Sequence, residues 1–291
     1  MAAPPSWQRY ARDFTKILEG FRYQRGIAEV FADWLETAAC TIHQLPYHAD
    51  WLAQDEAFQR IEAQYLTIAQ RYSSEELKRF GDLLGITQLA LGESYGDFLG
   101  AIYMGLEISQ SYRGEFFTPY HVSQMMAQIT LADISQQLQQ KEFITVAEPA
   151  CGGGGMLIAT AHTLLEAGHD PASSMFFVAT DLSRLSFNMA YLQTSILGLS
   201  GLVRHGNTLS NEVWDSRLTP ICRVFPWRTR RVLDSLTFET EESATPGEAL
   251  TAAHDNARQE VVAPEVLQPT TIDKPDDLTQ AGKNYEQGRL F

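Results

Sequence analysis

A short β-branched run, Phe143-Ile-Thr-Val-Ala147, leads straight into Glu148-Pro-Ala-Cys-Gly-Gly-Gly-Gly155 and then into a helical stretch from Met156 to Ala167. Four glycines between a strand and a helix let the backbone turn tightly and approach a ligand closely. The start of the following helix aims backbone amides at the ligand's polar end. The scheme repeats, because Met175-Phe-Phe-Val-Ala-Thr180 ends in Asp181 ahead of a helical stretch from Leu185 to Leu197. Leu202-Val-Arg-His205 reads as a third strand before Gly206-Asn-Thr-Leu209, and a fourth is expected near Pro220-Ile-Cys-Arg-Val-Phe225. Strands that alternate with helices predict a parallel sheet covered on both faces.

Upstream the period changes. Phe14, Ile17, Leu18 and Phe21, then Ile27, Val30, Phe31, Trp34 and Leu35, recur at three- and four-residue steps, so the first 110 or so residues read as helical. Ser73 and Glu76 supply a capping box for one of these helices. Trp7, Trp34 and Trp51 are expected in the core. The chain therefore divides into a helical domain over 1–110, an α/β domain over 111–231 and a tail over 232–291. That tail is rich in Glu, Thr, Pro, Asp and Gln, holds 12 acidic against 4 basic residues of a chain with net charge −14, and is expected to be disordered. Such an acidic chain is a poor nonspecific DNA binder, because phosphate contacts come from Lys and Arg. Any nucleic-acid role needs a local basic patch or a partner. Cys40, Cys151 and Cys222 are scattered, without a C-x-x-C pair, which points to reduced thiols and to no metal site. No apolar run is long enough to span a bilayer and the first ten residues carry no export pattern, so the expected location is the cytoplasm.

Asp181 ends the second strand about thirty residues after the glycine turn, where a carboxylate can accept both hydroxyls of a ribose. The turn lacks G-x-G-x-x-G spacing and no Walker lysine follows it, which excludes the dinucleotide and ATP readings. Gly114-Glu-Phe-Phe-Thr-Pro119 followed by Glu148-Pro-Ala-Cys-Gly-Gly-Gly-Gly155 resembles the adenine-N6 DNA methyltransferases, and most of all the modification subunit of type I restriction-modification systems. The resemblance covers about Asp97 to Leu209. It implies S-adenosylmethionine as cofactor and a class I, Rossmann-like methyltransferase sheet, here shortened and preceded by the helical domain. It places Phe116, Phe117, Thr118 and Pro119 against the methionine end of the cofactor. Glu148, Pro149, Ala150, Cys151, Gly152 and Gly154 form the wrapping turn, with Gly153 where the family has Ser or Thr. Asp97-Phe-Leu-Gly-Ala-Ile-Tyr103 resembles the helix that leads into the cofactor segment. Asp181 fits the ribose carboxylate, and Asn207 stands where the family has the Asp that meets the adenine amine. Cys151 is a packing residue there, not a nucleophile, and neither His121 nor His205 has a partner at ligand spacing.

The pattern breaks at the substrate side. The family's [NDS]-P-P-[FYW] motif, which orients the target amine, occurs nowhere in the chain. Only Pro226 and Trp227 are left as weak candidates for that place, with Trp227 able to stack a flipped base. The substrate-binding half and a target-recognition domain are expected to be missing. Arg223, Arg228, Arg230 and Arg231 with Phe225 and Trp227 form a basic-aromatic cluster that can track phosphate. The last residues, Gln287-Gly-Arg-Leu-Phe291, resemble the bacterial sliding-clamp binding peptide, in which Gln287 anchors and Leu290 with Phe291 fills an apolar pocket. The expectation is an S-adenosylmethionine-binding, DNA adenine-N6 methyltransferase-like protein that acts at DNA with a partner subunit, a second copy or the clamp. Its rival is a catalytically inactive pseudoenzyme that serves as an interaction or DNA-mimic module.

Overall fold

The structure, a computed structural model, describes residues 5–21, 25–106, 117–224 and 229. Among the described residues seven helices come first: α1 (Pro5–Glu19), α2 (Ile27–His48), α3 (Glu56–Ala69), α4 (Ser74–Glu93), α5 (Phe98–Gly105), α6 (Tyr120–Thr130) and α7 (Ile134–Gln140). They are followed by β1 (Ile144–Glu148), α8 (Gly155–Glu166), α9 (Pro171–Ser174), β2 (Met175–Asp181), α10 (Arg184–Ile196), β3 (Gly201–Asn207), β4 (Glu212–Leu218) and α11 (Pro220–Val224). No described helix is long and apolar enough to cross a membrane.

Local chemistry sets the helix starts. Ser73 Oγ accepts from the Glu76 amide at 3.3 Å and the Glu76 carboxylate accepts from the Ser73 amide at 2.7 Å, which completes the expected capping box of α4. Asp55, Asp97 and Ser183 cap α3, α5 and α10 with their side-chain oxygens. Trp34 and Trp7 are buried, and their indole N–H groups donate to the carbonyls of Phe80 and Ala90. Phe14 meets Trp34 and Phe98 edge to face, so α1, α2 and α5 share one aromatic cluster. Trp51 departs from expectation, at 67% exposed. It lies three residues beyond the end of α2, so the apolar spacing that buries Trp34 no longer governs where its side chain points.

The sheet runs in the order β1-β2-β3-β4. β1 pairs β2 and β2 pairs β3 in parallel, with Glu148 opposite Ala179 and Asp181 opposite His205. The carboxyl ends of β1 and β2, bearing Glu148 and Asp181, are therefore brought side by side. This is the expected class I methyltransferase-like arrangement over its first three strands. The fourth strand is a correction. Residues 220–224 form α11, with Pro220 at its start, and the strand is instead Glu212–Leu218, antiparallel to β3. Its pattern was concealed because the fully buried residue is Arg217, 1% exposed, rather than an aliphatic one. Proline opens a helix readily, since the amide it lacks has no partner there. A single apolar core joins the helices to the sheet, from Trp7 and Phe14 through Leu99 and Tyr103 to Leu157, Phe177 and Val203.

Candidate functional site

The glycine turn after β1 is held in one shape by contacts from three directions. Gly152 and Gly154 have φ of +53° and +92°, which side-chain-bearing residues rarely adopt. A Cβ at Gly152 would lie 3.0 Å from the Phe117 ring, and one at Gly154 3.3 Å from the Ala190 backbone. Asp181 Oδ2 accepts from the Gly152 amide at 2.8 Å while its Oδ1 accepts from the Ser183 amide at 2.9 Å. Thr208 Oγ1 donates to the Pro149 carbonyl at 2.7 Å, which fastens the turn after β3 to the same loop. From beneath, the buried Gln193 carboxamide of α10 donates to both the Gly153 carbonyl and Asp97 Oδ1, each at 2.8 Å, and accepts from the Leu99 amide at 2.9 Å.

Between this turn and α6 lies a cavity of about 100 Å³. Asp97, Phe117, Thr118, Ser123, Glu148 and Met156 line it together with the turn backbone at 150–153 and Gly155. Phe117 stacks on Tyr103 and rests over Gly152. Thr118 and Pro119 are exposed at the entrance to α6. Phe116 lies outside the described residues. Burial and the neighbouring Asp181 both push the Glu148 carboxyl up. Burial, with Asp181 and Glu148 nearby, also raises the Cys151 thiol well above its ordinary value, which disfavours the thiolate.

The residues fit S-adenosylmethionine. Ser123 Oγ is buried without a hydrogen-bond partner beside the turn, and Asp97 is a buried carboxylate on the same wall. Of the two, the Ser123 hydroxyl is the one without a hydrogen-bond partner, whereas Asp97 Oδ1 accepts from Gly100 and Gln193. Each Asp181 oxygen uses one backbone amide and keeps lone-pair capacity for a ribose hydroxyl. Asn207 Oδ1 accepts from the Leu209 amide at 3.0 Å and so builds its own turn. Leu182, Leu209 and Trp214 are exposed, with Trp214 edge-on to His205.

Arg223 sits elsewhere. Its guanidinium donates to His43 Nε2 at 2.6 Å and to the Tyr47 hydroxyl, and it packs over the Tyr47 ring. It is thereby engaged inside the helical region and not displayed toward phosphate. Pro226, Trp227, Arg228, Arg230, Arg231, Gln287, Leu290 and Phe291 lie outside the described residues, as does the tail over 232–291. The site also contains three residues that were not singled out as binding groups. Asp97 was visible as part of an Asp-x-x-Gly-x-x-Tyr segment, whereas Ser123 and Gln193 have no local pattern and are found only by their convergence.

Comparison with known proteins adds a family. The family model described as N-6 DNA Methylase matches residues 90–236. No curated protein matches the chain. Among solved structures, the chain is similar to a Listeria monocytogenes protein provisionally assigned as a class I S-adenosylmethionine-dependent methyltransferase, with 16% identity and a TM-score of 0.37 over 73% of this chain and 57% of that one. It is also similar to the methyltransferase subunit of a type I restriction-modification system from Streptococcus thermophilus, with 14% identity and a TM-score of 0.36 over 72% and 60% of the two chains. The chain thus spans less than two thirds of either structure's length.

Proposed function

The chain belongs to the N-6 DNA methylase family, whose cofactor is S-adenosylmethionine, and from that premise we propose that it holds this cofactor for adenine-N6 methylation of DNA as one component of an assembly. The observation that carries the reading is the glycine turn, already shaped by Asp181, Thr208 and Gln193 and opening on a cavity whose wall carries the unpaired Ser123 hydroxyl. When bound, S-adenosylmethionine supplies an electrophilic methyl group on a sulfonium. Asp181 holds the ribose, Phe117 and Thr118 cover the methionine end, and the turn's backbone follows the cofactor closely where side chains would obstruct it.

The group that orients the target amine comes, in this proposal, from a partner. The sequence holds no Asn-Pro-Pro or Asp-Pro-Pro, and among the described residues β1 has one strand neighbour, β2; in this proposal a strand from another chain pairs with its other edge. The partner also provides the basic surface that a chain of net charge −14 lacks for DNA. Arg228, Arg230 and Arg231 are proposed to touch phosphate, and the Gln287–Phe291 peptide to dock on the sliding clamp. A second reading is favoured by Asn207, whose amide oxygen closes its own turn where the family's acid serves the cofactor. In that reading the chain is a cofactor-responsive pseudoenzyme.

Labelled S-adenosylmethionine incubated with unmethylated DNA and this chain, alone and with partner subunits or clamp, tests both. Transfer into adenine only in the presence of a partner supports the assembly. Cofactor binding without transfer under every condition supports the pseudoenzyme, and no binding in calorimetry refutes both. Clamp pull-down that survives deletion of Leu290 and Phe291 refutes the tail's role.

A further inference from the structure

A second cavity, of about 510 Å³, shares no residue with the one at the glycine turn. It lies where α2, α4, the end of α10 and the start of α11 meet. Leu45, Leu91, Tyr95, Leu197 and Pro220 contribute to its mostly apolar wall. None of the side chains that line it is charged, although charged residues make up 20% of the chain. Gln88 and Ser195 add polar groups, and the Ser195 hydroxyl is buried with no hydrogen-bond partner. A charged occupant would give up its hydration here and find no counter-ion, whereas an uncharged one loses little and can bond the free hydroxyl. The volume lies within the roughly 300–1,000 Å³ typical of small-molecule sites.

We propose that this cavity is an effector site for an uncharged, largely apolar small molecule, and that filling it steadies the glycine turn. Two connections carry the effect. Ser195, Ile196 and Leu197 on the wall follow just beyond Gln193 at the end of α10, and Gln193 holds the Gly153 carbonyl, Asp97 and the Leu99 amide. Tyr95, also on the wall, stacks on His162 of α8 with ring centroids 5.8 Å apart, and His162 Nδ1 lies 3.3 Å from the Tyr120 hydroxyl of α6. Both of those helices reach the cavity at the turn, through Ser123 and Met156. Neither the occupant nor this coupling requires S-adenosylmethionine.

Two fluorescent dyes that share one skeleton test the site on the full chain: neutral N-phenyl-1-naphthylamine and its anionic relative 1-anilinonaphthalene-8-sulfonate. The neutral dye is expected to bind saturably and about 10-fold or more tighter than the sulfonate. This comparison does not depend on any variant folding. Gly92 lines the cavity and a Cβ there meets nothing within 4 Å, so in Gly92→Leu the new side chain enters open space, and leucine is the better helix former for α4. That variant should lose affinity for the neutral dye about 10-fold or more while circular dichroism shows it folded. With the neutral dye at about twice its dissociation constant, hydrogen exchange of the Gly152 and Gly154 amides should slow about threefold in wild type, because the turn opens only from the empty form. No saturable binding, equal or tighter binding of the sulfonate, or unchanged affinity for the neutral dye in folded Gly92→Leu overturns the site. Unchanged amide exchange in dye-loaded wild type overturns the effector role. A dimer in analytical ultracentrifugation that Gly92→Leu dissociates makes the cavity a contact between copies, which overturns the small-molecule site as well.

Discussion

The two sides of the sheet treat the same residue types in opposite ways. On the β3–β4 side, Glu36 of α2 bonds Arg184 at 2.6 Å and Arg217 at 3.0 Å, and Arg184 also bonds Asp215 at 2.6 Å. Asn188 donates at 2.7 Å to Glu36 Oε2, which also accepts from Arg184 Nε at 2.9 Å, and both guanidinium groups lie over the Phe187 ring. Burial alone would raise the Glu36 carboxyl, but the hydrogen bond and charge of Arg184, with Arg217 behind it, hold it at about 2. Nearby, burial and then the charge of Arg223 hold His43 at about 3, which keeps its ring neutral as an acceptor. On the β1–β2 side, Asp97, Glu148 and Asp181 accept hydrogen bonds from backbone amides and the Gln193 carboxamide. The difference teaches how to read a buried acid. Matched by arginine, it ties helices to the sheet; left with neutral partners beside a cavity, it marks where a ligand belongs.

The contrast breaks most sharply at Glu36. Glu36→Ala leaves the buried Arg217 with only Asp215, 3.6 Å away, to balance its charge and should cost about 3–5 kcal/mol in chemical denaturation. The pH dependence sharpens the same point. The Glu36 carboxyl is lowered on folding from 4.5 to about 2, so its stabilising contribution is complete above pH 4.5 and disappears as pH falls toward 2. Stability measured across that window should fall with acid in wild type and show a shallower slope in Glu36→Gln. On the ligand side, Gln193→Leu removes three hydrogen bonds from beneath the turn. About 1–3 kcal/mol of stability should be lost, and S-adenosylhomocysteine affinity should fall by more than that destabilisation predicts. The smallest expected effect tests a site belonging to neither group. Ser73→Ala should cost about 1 kcal/mol through the lost cap of α4, with cofactor affinity unchanged in calorimetry.

Much of the fold was legible because its signals are local. β1, β2, β3 and the helices after the first two are written in contiguous runs of β-branched, glycine and apolar residues, and the Ser73 cap needs only four positions. The fourth strand was misplaced because an arginine occupies its buried position, and an arginine becomes an interior residue only when Glu36, from a helix more than 150 positions earlier, is there to receive it. Trp51 was misjudged for the converse reason, since hydrophobicity alone does not say where a helix stops. Arg223 read as a surface charge until His43 and Tyr47 were seen to enclose it.

By itself the sequence determined the strand–turn–helix unit, the family that unit belongs to and the cofactor that family uses, because glycine's backbone freedom and the position of Asp181 are properties of short segments. Only the tertiary structure decided which charges are neutralised and which are left facing a cavity. That outcome depends on residues 97, 123, 153 and 193 meeting in space, and on the low polarity of the interior that makes each unpaired group costly.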